Sequence, residues 1–287
     1  MRTLVLTVVC LLLLVCLSTM ASAGVVVSYP DFCSSAGLTL AGNAATTNCV
    51  LRLTPSAGGQ AGAAYSTTPI TLGTNATFST KFQFRFTQPG GIDPADGITF
   101  VLAASPSGLG TGGGGIGYGG VNNSVAIEFD SYNNGFYDGN SDNHIAIDEN
   151  GHISDGSSSS DQYMHYVYGN QSCGFNTLAG CMSNGHVWTV TAAYDGSHLS
   201  LSISDPAEGF TDVVYTNVAL NIAADLGTNT AYVGFTAGTG AGYENQDILN
   251  WSFANDTSLG TPEPSTLLML GSGALALVGV ARRKLSL

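Results

Sequence analysis

The chain has 287 residues, 44 % apolar and only 9 % charged, with 38 glycines and a formal net charge of −13. That length and apolar content support one large core of roughly 230 residues, and the lack of a Gly-X-Y period excludes a collagen-like reading of the glycines. Between Gly24 and Gly260 only Arg52, Lys81 and Arg85 are basic, against 19 of the 20 acidic residues, which leaves that segment at −16; such a field repels nucleic acid and anionic membranes and attracts cations.

Met1-Arg2, an apolar run over residues 4–17 and Ala21-Ser22-Ala23 read as a secretory signal, residues 1–23, cleaved before Gly24. Cys10 and Cys16 leave with it. Cys33, Cys49, Cys173 and Cys181 remain, and an even number sent to an oxidising compartment favours disulfides. Closeness in sequence favours Cys33–Cys49 and Cys173–Cys181, and none has the spacing of a zinc site. Residues 77–87 set Phe78, Phe82, Phe84 and Phe86 on one face and Ser79, Lys81, Gln83 and Arg85 on the other. Residues 125–130 alternate in the same way, with Val125, Ile127 and Phe129 toward a core and Glu128 and Asp130 projecting together from the opposite face. A turn-rich loop then adds Asn134 and Asp138, and a second short strand begins at His144. Residues 187–194, 198–204, 231–237 and 247–253 repeat the alternation between turns such as Asp195-Gly196-Ser197. No amphipathic helix of three turns stands out, so the pattern predicts an antiparallel sandwich. Trp188 and Trp251 fall within strands and read as core.

Glu128, Asp130, Asp138 and His144 form the chemically informative set. Hard oxygen ligands suit calcium, and carboxylates with one imidazole suit manganese or another transition ion. The plain alternative is a solvated acidic turn.

This segment resembles the metal-binding signature of the legume lectins and their bacterial relatives. Ala95-Asp96-Gly97, the glycine run Gly112 to Gly115 with Ile116-Gly117, the stretch from Val233 to Ala241 and the closing Asp247-Ile-Leu-Asn-Trp251-Ser-Phe253 resemble further family motifs, in the family's order. The resemblance covers about residues 25–256. It implies an all-β, concanavalin-like jelly roll and two ions. Manganese would be held by Glu128, Asp130, Asp138 and His144, and calcium by Asp130, Asp138, Asn134 and the Tyr132 carbonyl. Asp142 is a second acid close to His144, so Asp138 and Asp142 both stand as candidates. The resemblance further implies sugar contacts from Asp96, Gly115 and Asn134, with Tyr132 flanking the sugar and Ala241 in a fourth loop. It implies a cis peptide between Ala95 and Asp96.

Thr261-Pro262-Glu263-Pro264, an apolar run of 15 residues over 267–281 and Arg282-Arg283-Lys284 resemble the PEP-CTERM sorting signal. That implies a Gram-negative bacterium, transient membrane insertion of a short transmembrane helix, removal of the tail by an exosortase-type enzyme and release to the cell surface or extracellular matrix. Residues 24–258 then form the lectin-like domain and residues 259–287 the tail. The expected function is sugar binding without catalysis, directed at glycans or exopolysaccharide. Two alternatives are a matrix protein that kept the fold without sugar binding, and a glycoside hydrolase of similar fold. The hydrolase needs two carboxyls about 5 Å apart, and here Tyr132 or Asn133 stands where its acid belongs. Which sugar is bound, and in what oligomeric state, stays open.

Overall fold

Phenylalanines at every second position of a strand pack one face against a partner sheet. In the computed structural model, which describes residues 24–105, 108–153, 163–167 and 172–259, Phe78, Phe82, Phe84 and Phe86 are all fully buried. The strands in chain order begin with β1 (Val25–Tyr29), β2 (Leu38–Gly42), β3 (Ala45–Thr47), β4 (Val50–Thr54), β5 (Ala61–Ser66) and β6 (Ile70–Thr71). The long β7 (Phe78–Gly91) leads to β8 (Gly97–Ala103), β9 (Ser124–Asp130), β10 (His144–Glu149) and β11 (His165–Tyr166). Then follow β12 (Trp188–Tyr194), β13 (His198–Asp205), β14 (Phe210–Ala219), β15 (Thr230–Gly238) and β16 (Gly242–Ala254). One short helix, α1 (Ile222–Leu226), precedes β15; the Asn221 side chain caps it by accepting the Ala224 N–H.

The strands form two eight-stranded antiparallel sheets. The back sheet runs β14-β13-β12-β7-β16-β4-β3, with β1 also pairing along β16; the front sheet runs β11-β10-β9-β8-β15-β5-β2, with β6 on β15. Rings from both sheets interlock between them. Phe82 of the back sheet meets Phe235 of the front edge-on at 5.0 Å, and Phe235 meets Trp251 edge-on at 5.0 Å, the geometry that ring quadrupoles favour. Trp188 and Trp251 are core residues as the alternation predicts. Cys33–Cys49 and Cys173–Cys181 are bonded.

Register decides the site. In the front sheet Asp130 stands opposite His144 on one side and Gly97 on the other, and Glu128 opposite Ala146 and Thr99. Ile98, Phe100 and Phe129 turn inward, so Glu128, Asp130 and His144 share the outer face at one end of three adjacent strands. The ends of β7, β9 and β15 and the glycine-rich segment before β9 supply the loops around them.

The signal peptide and the C-terminal tail lie outside the described residues, as does the expected transmembrane helix. No helix among the described residues is long and apolar enough to cross a membrane.

Phe82 sits where both sheets meet. Phe82→Ala is expected to lower the unfolding free energy by about 3–5 kcal/mol in urea titration. Val213→Ala, at a residue 63 % exposed, is expected to change it by less than about 0.5 kcal/mol.

Candidate functional site

One ligand atom from each of Glu128, Asp130 and His144 lies within 4.8 Å of the others, and all three residues are buried. Asp130 Oδ1 accepts the Tyr132 N–H at 2.6 Å. Its Oδ2 has no hydrogen-bond partner, and neither has either ring nitrogen of His144. Asp138, also buried, accepts the Asn134 N–H and thereby closes the turn that follows β9.

The electrostatics of this group are unbalanced. Burial pushes the Asp130 carboxyl well above the usual range, and the charges of Asp138 and Glu128 push it further. Burial raises Asp138 to about 6, against the pull of the Asn134 N–H. Burial, then the charge of Asp138, raises Asp96 to about 7, against the pull of a Gly240 N–H. Burial drives His144 down to about 4, opposed by weaker influences from Ser141 and Asp142, so it is a neutral imidazole at pH 7. Among the described residues no lysine or arginine stands beside this group. Arg52 is held by both oxygens of Asp247 at 2.8 Å on the back sheet, and Lys81 and Arg85 lie on β7 of that sheet. Buried carboxylates without a cationic partner are costly. Orphaned Asp130 Oδ2, a neutral imidazole with bare nitrogens and clustered hard oxygens fit a divalent ion.

Four loops converge beside this cluster. Asp96, after the cis Ala95–Asp96 peptide, donates its N–H to the Gly238 carbonyl and accepts the Ser131 N–H with its own carbonyl, both at 3.0 Å. Gly97 follows with φ +142°, where a Cβ would run into the Phe129 carbonyl of the neighbouring strand, so this position in the Ala-Asp-Gly motif requires glycine. A Cβ on Gly240 would lie 3.4 Å from Asp96 Oδ2, and one on Gly114 would lie 3.0 Å from Asn134 Oδ1. Asp96, the glycine loop, Asn134 and the β15–β16 loop thus meet in space. Tyr132 is half-buried at the base of the metal loop, and Ala241 is exposed on the β15–β16 loop.

Two expected residues have polar groups engaged elsewhere. The Gly115 N–H is donated to the Gly112 carbonyl at 3.2 Å, and a Cβ there would collide with Thr111. Gly114 is the glycine packed on Asn134. Asp142 is not a free ligand candidate, because its carboxylate accepts bonds from Ser172 Oγ and from the Cys173 and Gly174 N–H groups at 2.9–3.0 Å.

Sequence reasoning also missed the support beneath the loops. Gln246 donates its amide to the Ala95 carbonyl at 3.1 Å and is oriented by Thr54 at 2.6 Å. Glu244 receives the Ser131 and Ser183 hydroxyls at 2.7 and 3.1 Å, and burial pushes its carboxyl up to about 8. The run Glu244-Asn245-Gln246-Asp247, fully polar yet leading straight into a core strand, is the signal that could have found them.

A family model described as the legume lectin domain matches residues 26–268, and one described as the PEP-CTERM protein-sorting motif matches residues 261–284. The lectin alpha chain of Lablab purpureus is 29 % identical over 283 residues, covering 91 % of this chain and 92 % of that protein. The leucoagglutinating phytohemagglutinin of Phaseolus vulgaris is 31 % identical over 217 residues, 71 % of each chain. Among solved structures, a lectin from Bauhinia forficata in complex with GalNAc superposes with a TM-score of 0.62 at 25 % identity, over 79 % of this chain and 96 % of that one. Basic winged bean lectin with Tn-antigen gives 0.63 at 26 % identity, over 79 % and 96 %. The sandwich is the concanavalin-like fold, and the chain belongs to the legume lectin family, with a PEP-CTERM sorting motif at its C-terminus.

Proposed function

We propose that this protein is an exported, calcium- and manganese-dependent lectin without catalytic activity, which binds glycans or exopolysaccharide at the bacterial surface or in the extracellular matrix. The observation that carries the reading is the grouping of buried Glu128, Asp130 and His144 ligand atoms, with Asp130 Oδ2 and both His144 ring nitrogens lacking hydrogen-bond partners, at the meeting point of four loops. Glu128, Asp130, Asp138 and His144 would hold the transition ion. Asp130, Asp138, Asn134 and the Tyr132 carbonyl would hold calcium, with Asp130 bridging the two. Bound ions supply positive charge and a rigid loop, which lowers the ordering cost of ligand binding.

The sugar contacts come from the chain itself. Sugars are neutral polyols, so their recognition needs fixed donors and acceptors and an apolar face. Asp96 accepts sugar hydroxyls as a carboxylate; neutralising the charge of Asp138 removes one cause of its raised pKa. Asn134 donates its side-chain amide. The glycine loop, at Gly115 and with Gly114 against Asn134, brings backbone close to the ligand, Tyr132 offers a stacking face, and Ala241 borders the fourth side. We further propose that residues 1–23 are removed on export, that residues 24–258 are the sugar-binding domain, and that residues 259–287 are a sorting tail removed by an exosortase-type enzyme.

Elemental analysis of the purified protein should find calcium and manganese, or a similar ion, near one equivalent each, and Asp130→Ala should lose both. Restoring calcium to chelated protein at a hundredfold excess over its Kd should add about 2.7 kcal/mol of stability, a rise of about 5–10 °C in Tm for a domain of this size. An unchanged Tm would refute the metal assignment.

Asp96→Ala should fold and keep its metals but lose glycan binding by at least about a hundredfold, since each hydrogen bond to a charged acceptor contributes about 1.5–3 kcal/mol. Wild-type affinity in that variant on a glycan array would leave a matrix protein without this sugar site as the better reading.

Mass spectrometry of protein from its native host should find a C-terminus near Pro264. An intact Leu287 terminus would count against processing.

A further inference from the structure

We infer that the loop closed by Cys173–Cys181 is a second sugar subsite, which makes the site selective for uncharged oligosaccharides rather than single sugars; this rests on the lectin reading above. Both ends of the loop are built into the metal loop. The Asp142 carboxylate accepts the Cys173 and Gly174 N–H groups. Asn143 accepts the Met182 N–H at 3.0 Å and donates to the Gly180 carbonyl at 2.8 Å. These two residues directly precede His144, so the disulfide loop and the metal loop form one body.

What that body displays is apolar. Of the seven large hydrophobic side chains exposed among the described residues, Ile92, Phe136, Phe175 and Leu178 lie on loops around the site. Phe175 and Leu178 occupy the tip of the disulfide loop, 56 % and 53 % exposed, between turns in which the Cys173 carbonyl accepts the Asn176 N–H and the Leu178 carbonyl accepts the Cys181 N–H. Ile92 lies between this loop and Ala241: its N–H points to the Ala241 carbonyl at 3.4 Å, and a Cβ on Gly174 would lie 3.1 Å from the adjoining Asp93 carboxylate. Four residues further along stands Asp96. Exposed apolar side chains on neighbouring loops mark an interaction surface, and an aromatic ring on a disulfide-closed loop suits the C–H face of the next sugar of the same glycan. Asp93 and Asp96 adjoin this surface, and the described basic residues Arg52, Lys81 and Arg85 belong to the back sheet, which disfavours uronates and phosphorylated sugars.

The test is titration calorimetry on the protein as its host exports it, saturated with calcium and manganese. The probes are methyl glycosides of galactose, glucose, mannose and N-acetylgalactosamine, with their neutral di- and trisaccharides and a uronate-containing oligosaccharide. Wild type should bind its best neutral oligosaccharide at least about tenfold more tightly than the matching methyl glycoside, and Phe175→Ala/Leu178→Ala should erase that gain while moving the methyl glycoside Kd by less than about twofold. Phe175→Trp should keep the gain. Equal wild-type affinity for both probe classes, a gain that survives the double substitution, or preference for the uronate would overturn the inference and leave the lectin reading standing. Binding of no saccharide by wild type would overturn both.

Discussion

A group of carboxylates buried at the end of the front sheet, while the described basic residues Arg52, Lys81 and Arg85 lie on the back sheet, governs much of this molecule. Two like charges 4.8 Å apart repel by about 3.5 kcal/mol at an effective dielectric of 20, and several such pairs meet around Asp130. Without a cation the acids are relieved only by holding protons. Because their folded-state pKa values are raised, that relief is complete below the unfolded carboxylate range of about 4. It is lost as pH rises through about 6 for Asp138 and about 7 for Asp96. At neutral pH the cluster opposes folding, and a divalent ion bound there would reverse the sign. Ion binding would then be linked to the order of the loop from Asp130 to His144.

The rest of the architecture holds that cluster in place. Antiparallel register sets Asp130 between Gly97 and His144, and glycine at 97 lets the Asp96 turn approach the metal strand closely. The back sheet reaches under the loops through Thr54, Gln246 and Glu244. At a pKa of about 8, Glu244 is mostly protonated at neutral pH. It therefore joins Ser131 and Ser183 as a neutral hydrogen-bonding hub and adds little to the crowded charge above it.

The strands and the grouping of Glu128, Asp130 and His144 were legible in the sequence because period two and motif order are local properties. Residues 77–87 are well matched by the start of β7, and Glu128, Asp130 and His144 came together as their spacing and alternation imply. The parts that were not legible depend on contacts across long separations. Ser131 and Glu244 are 113 residues apart, and no spacing rule reaches that far. Asp138 and Asp142 looked equivalent because sequence reveals a carboxylate but not whether its oxygens are already taken; the Cys173 turn takes those of Asp142. The glycine run posed a similar problem. Four consecutive glycines carry no side chain by which to tell Gly114 from Gly115, and only the turn back to Gly112 decides which one faces Asn134.

The attachment of the disulfide loop extends the influence of the Glu128, Asp130 and His144 grouping beyond its own residues. Asp142 and Asn143 are nearly fully buried, and between them they use their side chains on the loop carrying Phe175 and Leu178, while the next residue, His144, turns to the carboxylates. Backbone order imposed at His144 therefore passes directly to both ends of that loop, and the disulfide limits the remaining freedom of its tip. A long exposed loop would otherwise lose its conformational entropy at the moment of binding. Here the bonds to Asp142 and Asn143 place much of that cost on folding. The division of labour follows from the bonds: Glu128, Asp130 and His144 group at one end of the front sheet, and the segment between Cys173 and Cys181 is joined to them through Asp142 and Asn143.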